Sequence, residues 1–223
     1  MLEAQTPPQL ETLLQHPSLW RGRSIAPRET FPTGFAALDQ VLPGGGWPRR
    51  GLIEILTPGN GCGELGLWAP LMAQLSRAET ARWCAFVSPP FEPYVPAWRS
   101  RGVRTDRLLV VRGRQPRWAQ ERSLRSGASG SETQWAIEQS LLSGACALVF
   151  GWLARATMRE LRRFALATEK GAALAVLIRP LRAAQDHSVA VLRIALQATD
   201  RHLQLHLLKG RGVIPQRIEL TLP

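Results

Sequence analysis

Five short apolar runs set the frame of this chain: GLIEIL (51–56), CAFVS (84–88), RLLVV (107–111), CALVF (146–150) and ALAVLI (173–178). Uninterrupted apolar runs of about four to eight residues suit strands covered on both faces. Helical patterns separate most of them. The clearest is 155–169, where Met158, Leu161, Phe164, Ala165 and Thr168 form a stripe and Arg155, Arg159, Arg162 and Arg163 lie mainly off it. Buried strands alternating with helices predict a parallel, doubly wound sheet. The last part differs, because VAVLRIAL, HLQLHLL and RIELTL follow one another with only turns between, as in an antiparallel meander. The expected class is α/β, with a mostly parallel central sheet, antiparallel C-terminal strands and a short N-terminal helical appendage.

With 223 residues, 45% of them apolar, the chain can bury one good-sized core. Residues 7–22 start with prolines and carry Leu10, Leu13, Leu14 and Trp20 at the spacing of a short amphipathic helix that exits at His16-Pro17. Such a helix is too short to fold alone, so its stripe is expected to dock on a neighbouring surface, a partner's or its own core's. Residues 21–32 lack periodicity and read as a linker. The division is therefore an appendage over 1–32 and a core over 33–223. Gly127 to Ser131, inside the polar stretch 113–133, reads as a flexible loop. No run approaches the ~18 apolar residues of a membrane helix, and MLEAQTPPQLETLLQ lacks the basic start and apolar core of a signal peptide. A cytoplasmic protein without membrane contact is the expectation.

Strand 52–56 leads into Thr57-Pro58-Gly59-Asn60-Gly61-Cys62-Gly63-Glu64-Leu65. A strand, a Gly-rich turn and a following helix are the setting of a phosphate-binding loop, whose backbone N–H groups and helix N-terminus hold phosphates. Here Glu64 and Leu65 stand where Lys and Ser/Thr should close the motif. At an effective dielectric of 20 a unit pair 4 Å apart is worth about 4 kcal/mol, so exchanging attraction for repulsion costs up to roughly 8. That is about the whole binding energy of a micromolar ligand.

A wider pattern gives the loop a context. Thr33-Gly34-Phe35, Leu38-Asp39 and Leu42-Pro43-Gly44-Gly45-Gly46-Trp47-Pro48, ahead of Gly51-x-Ile53-Glu54-Ile55, resemble the start of the RecA recombinase core. Cys84 to Val87 resembles the strand after which RecA proteins carry a catalytic carboxylate, but Ser88-Pro89-Pro90-Phe91 follows without an acid. Ala147 to Phe150 resembles the Walker B strand, yet Gly151-Trp152 replaces the magnesium-holding Asp. Phosphoryl transfer needs metal, positive charge and a water-orienting group together. With departures at Glu64, Pro90 and Gly151, no ATP hydrolysis and no cofactor are expected, unless Glu92 or Glu54 replaces the missing acid.

A closer resemblance is to the ImuA family, RecA-like proteins of bacterial mutagenesis cassettes. It is carried by Leu38 through Trp47, by Gly61-Cys62-Gly63-Glu64-Leu65 with Pro70, and by Trp135-Ala136-x-Glu138-Gln139-x-Leu141-x-Ser143-Gly144-x-Cys146. Leu161-Arg162-Arg163 through Arg179-Pro180 and Leu13-Leu14 through Trp20-Arg21-Gly22 extend it over nearly the whole chain. The resemblance implies a non-catalytic role in SOS-type translesion synthesis. Its implied partners are an ImuB-type inactive relative of Y-family polymerases, an error-prone replicative-type polymerase, and RecA itself. ImuA proteins are also similar to the division inhibitor SulA, so an FtsZ-binding inhibitor is the alternative.

Charge bears on that choice. The chain carries +11, and Arg99 to Arg125 holds nine arginines against Asp106 and Glu121. A localised basic patch is the footprint of a polyanion partner, which an FtsZ binder does not need. Against this, only two of the 28 basic residues are Lys, and an Arg-rich composition alone makes basic surfaces. Arg112, Arg114, Arg117, Arg122 and Arg125 are the expected phosphate contacts, with Trp118 a stacking face for a base of single-stranded DNA. Trp98 is likewise crowded by arginines, whereas Trp47, Trp68, Trp83, Trp135 and Trp152 read as core.

Metal and hydrolase chemistry find little support. Cys62, Cys84 and Cys146 lack any Cys-x-x-Cys pair and read as small buried apolar residues. His202, Gln204 and His206 would share an exposed strand face without a third ligand, so no metal is expected. Ser129 lies in Gly-Ala-Ser-Gly, which is no nucleophile elbow.

Overall fold

The computed structural model describes residues 29–112, 130–199, 202–210, 212 and 215–221. The appendage residues Leu10, Leu13, Leu14 and Trp20 lie outside them. An eight-stranded sheet is formed by β3 (Gly51–Thr57), β4 (Trp83–Val87), β5 (Leu108–Val111), β6 (Cys146–Trp152), β7 (Leu174–Pro180), β8 (Leu192–Ala198), β9 (Leu203–Gly210) and β10 (Gln216–Leu220). Its order is β10-β9-β8-β3-β7-β6-β4-β5. β3 runs parallel to both β7 and β8, and the parallel set continues through β6, β4 and β5. The pairs β8–β9 and β9–β10 are antiparallel. Each apolar run of the sequence is a strand, and the class is α/β with a mostly parallel sheet.

The central strands are covered on both faces, and all seven residues of β3 and of β7 are buried. One face carries Ile53, Ile55, Phe86, Phe150, Val176 and Leu205 against α2 (Ala69–Arg77) and α3 (Val95–Ser100), with α1 (Ala36–Asp39) supplying Leu38. The other carries Leu52, Val87, Val149, Ala175 and Leu177 against Ile137 and Leu141 of α4 (Gly130–Leu142) and Leu161 and Phe164 of α5 (Met158–Lys170). A capping box opens α5: Thr157 Oγ1 accepts from the Glu160 N–H, and Glu160 accepts from the Thr157 N–H at 2.7 Å. Among the described residues no helix is long and apolar enough to cross a membrane.

Four expectations need correction. Thr30–Phe31, placed in a linker, form β1 and pair antiparallel with β2 (Trp47–Pro48). Gly130 and Ser131, placed in a flexible loop, already belong to α4. Trp135 is not core: it lies on the outer face of α4 and is 62% exposed, because the inward positions of that helix are taken by Thr133, Ile137 and Leu141. Trp98 is the reverse case. It is buried, its ring 6.0 Å from that of Phe86, since the short α3 turns it inward and leaves the flanking arginines outside.

Candidate functional site

In open α/β sheets, ligands sit beyond the carboxyl ends of the strands. At that edge the loop after β3, the loop after β4 and the end of β6 enclose a groove of about 270 Å³. Gly61, Gly63, Glu64, Leu65 and Gly66 line one side; Pro89 to Tyr94 line the other; Trp98, Arg101 and Trp152 complete it. All three positions expected to have lost chemistry, Glu64, Pro90 and Gly151, belong to this edge.

The loop departs from a phosphate cradle in shape as well as in charge. After Thr57-Pro58-Gly59-Asn60-Gly61-Cys62-Gly63 the chain makes a 3-10 turn over Gly66–Trp68, and α2 starts only at Ala69 with Pro70 in its first turn. The helix that the sequence places after the loop is present, but the 3-10 turn separates its N-terminus from the glycines. Gly61 and Gly63 have φ of 76° and 82°, a region that side chains disfavour, and this turns the chain back on itself. The fold-back lets Glu64 reach inward: it is 3% exposed, and its Oε1 accepts from the Gly61 N–H at 3.0 Å. A loop N–H of the type that serves phosphate in a cradle thus serves a carboxylate of the chain itself. Cys62 donates to the Gly59 carbonyl at 3.4 Å, and its thiol is pushed up by burial first and by the Glu64 charge second.

Across the groove the β4 loop is held firmly. Ser88 adopts a positive φ of 51°, its N–H donates to the Val111 carbonyl, and its hydroxyl lies 2.9 Å from that of Thr133. Beyond it Phe91 and Tyr94 stand 67% and 70% exposed. Glu92 pairs with Arg112 at the rim. At the end of β6, Gly151 is closely surrounded: a Cβ there would stand 2.4 Å from Ile137 Cδ1. Below lies an aromatic stack in which Trp47 and Trp68 are 4.2 Å apart and Phe86 and Phe150 5.1 Å apart.

Glu54, weighed as a substitute acid, is taken out of consideration by its neighbours. It is fully buried, with Arg179 Nη1 2.6 Å from its Oε1 and Arg193 Nε 2.6 Å from its Oε2. Arg179 also holds Asp186 at 2.9 Å, and Arg193 donates to the carbonyls of Ala183, Ala184 and Asp186. The sequence reading missed this network. Its signal was present only as charged residues, Glu54, Arg179 and Arg193, inside runs otherwise apolar.

Of the expected DNA contacts, Arg114, Arg117, Trp118, Arg122 and Arg125 lie outside the described residues. Arg112 is exposed but already paired with Glu92. Elsewhere in the basic stretch Arg104 pairs with Asp106, lowering that carboxyl's pKa, and Arg107 lies over the Trp83 ring at 5.8 Å. Gln204 and His206 lie on the half-buried face of β9 rather than on an exposed one, and His202 precedes the strand; Gln204 bonds Glu219 and His202 lies 3.2 Å from Thr221. Among the described residues no cluster of His, Cys, Asp or Glu could hold a metal ion.

No protein-family model matches the chain. Among solved structures it is similar to SulA from Pseudomonas aeruginosa, at a TM-score of 0.43 and 21% identity, over 57% of this chain and 97% of that one. A likeness at that level carries no functional argument.

Proposed function

We propose that this chain is a RecA-like accessory protein of SOS-type DNA damage tolerance that works without hydrolysing ATP. The observation that carries the non-catalytic part is the Glu64 carboxylate, buried in the glycine loop and bonded to the Gly61 N–H. A phosphate entering there would meet a negative charge and find that N–H taken. Gly151 adds to this, because a carboxylate on β6 there would first have to displace the ends of the Ile137 and Leu177 side chains. The role in translesion synthesis rests on the sequence resemblance to the ImuA family, and the sheet order with its antiparallel C-terminal strands suits a RecA-like core.

Thermal melting with Mg-ATP tests the first part. A ligand at 100 times its Kd stabilises by about 2.7 kcal/mol, so a nucleotide that binds must shift the transition; none is expected. Recovery of partners from damaged cells tests the second. The proposal requires an ImuB-type protein, an error-prone replicative-type polymerase or RecA in the bound fraction, whereas FtsZ alone would replace it with a division-inhibitor role. Single-stranded DNA is the further expected partner. If about five phosphates are neutralised, log affinity against log salt falls with a slope near −3.5, and replacing Arg112, Arg114 and Arg117 by Ala flattens it by roughly 2.

A further inference from the structure

We infer that the groove beside the glycine loop receives a cationic side chain, an arginine presented by a partner protein. The inference shares its site with the proposed function and requires the loop to be closed to phosphate, but it does not require the role in damage tolerance.

What the loop lacks is a donor. Glu64 Oε1 has the Gly61 N–H, but Oε2 is buried without a hydrogen-bond partner, and Asn60 Oδ1 in the same loop is likewise unpartnered. Buried polar atoms are nearly always paired, so the orphaned Glu64 acceptor, on a residue that lines the groove, marks an incomplete site. An anion would be repelled by Glu64, and a neutral apolar segment would leave the carboxylate as it is. A guanidinium brings five N–H donors and a full charge, and it loses less hydration on entering than an ammonium does.

The walls fit the same ligand. Phe91 and Tyr94 expose most of their surface at the rim, and Trp98 and Trp152 line the groove. Aromatic faces attract a cation placed over them, and Arg is the usual partner. Pro89, Pro90 and Pro93 limit how far the rim can collapse over its own aromatic rings. Gly61 and Gly63 line the groove, and a Cβ at Gly61 would find nothing within 4 Å, so the space beside the loop is open to a long side chain. Of the other charges facing the groove, Glu92 is neutralised by Arg112, and Arg101 has contacts of its own.

The test titrates N-acetyl-arginine methylamide into the full chain and follows backbone amide and indole resonances, with the uncharged citrulline analogue as control. Saturating shifts are expected at Gly61, Gly63 and the Trp98 and Trp152 indoles, with arginine about tenfold tighter than citrulline. Glu64→Gln keeps the size and the acceptor for Gly61, and it should reduce arginine to the level of citrulline. Tyr94→Ala should weaken arginine by about two- to fivefold. Equal binding of the two ligands overturns the inference. So does an arginine preference that survives Glu64→Gln, or one that Glu92→Gln abolishes instead. Shifts at these amides with Mg-ATP overturn the closed loop and this inference with it. Silence toward both ATP and arginine overturns this inference alone.

Discussion

Glu54 and Glu64 lie on one strand and the loop that leaves it, and both are buried, yet their surroundings are opposite. Glu54 meets Arg179 and Arg193 at 2.6 Å each, and Arg179 reaches on to Asp186, so two acids balance two arginines. Glu64 has one backbone N–H and an oxygen without a hydrogen-bond partner. The first arrangement is closed: it ties β3 to β7 and β8 and fixes the turn over 181–186 on the sheet through the carbonyls that Arg193 holds. The second is open and faces a groove. Burial alone therefore does not separate the two carboxylates; the presence of counter-charges at contact distance does.

The largest expected effect comes from breaking the closed set. Glu54→Ala leaves Arg193 buried without a counter-charge and Arg179 with Asp186 alone, and removing one partner of a buried pair costs about 3–5 kcal/mol. Urea unfolding should show the midpoint falling by that amount divided by the slope, with the slope itself unchanged. Replacing Glu54, Arg179 and Arg193 together by Leu, Met and Leu should cost less than the single change, because no unpaired charge remains and Asp186 is half in solvent. A single substitution costing under about 1 kcal/mol would mean that the network contributes little.

A smaller loss is expected from trying to restore the missing acid at the end of β6. Gly151→Asp places a Cβ 2.4 Å from Ile137 Cδ1 and 3.2 Å from Leu177 Cδ2. Overpacking of this kind costs about 1–3 kcal/mol. ATP turnover should stay undetectable in the double variant with Glu64→Lys, because the surroundings of Gly151 are built for no side chain at all. Turnover appearing in that variant would show that the edge has kept its catalytic geometry.

Most of the sheet was legible in the sequence, since strands buried on both faces leave uninterrupted apolar runs and a meander leaves alternating ones. The identities of Glu64 and Gly151, which set the loop's charge and the packing at the end of β6, were also legible. What escaped reading depended on tertiary direction. Trp135 and Trp98 exchanged their expected places because helix phase, not the identity of neighbours in sequence, decides which side chain turns inward. The Arg179 and Arg193 partners of Glu54 come together only through the order β8-β3-β7, which no local pattern reveals. Nor could the late start of α2 be read, since a glycine loop followed by a 3-10 turn has the same composition as one followed directly by a helix.

The smallest effect is expected at Glu64, and it decides whether the contrast with Glu54 holds. Glu64→Gln exchanges a charge-assisted bond to the Gly61 N–H for a neutral one, a loss of about 1 kcal/mol. It also removes an unpartnered buried charge, a gain of the same order. The net change should stay within about 1 kcal/mol, which for a chain of this size is a melting shift of no more than about 4 °C. Cys62 offers a second readout. Burial is the main cause of its raised pKa and Glu64 the next, so the substitution should lower that pKa in part and leave the share due to burial. Alkylation rate against pH reports it with little background, because burial pushes Cys84 up to about 12 and raises Cys146 as well. A loss of stability matching that of Glu54→Ala would make Glu64 part of the frame rather than an open site. An unmoved Cys62 profile would show that the carboxylate does not face the loop interior.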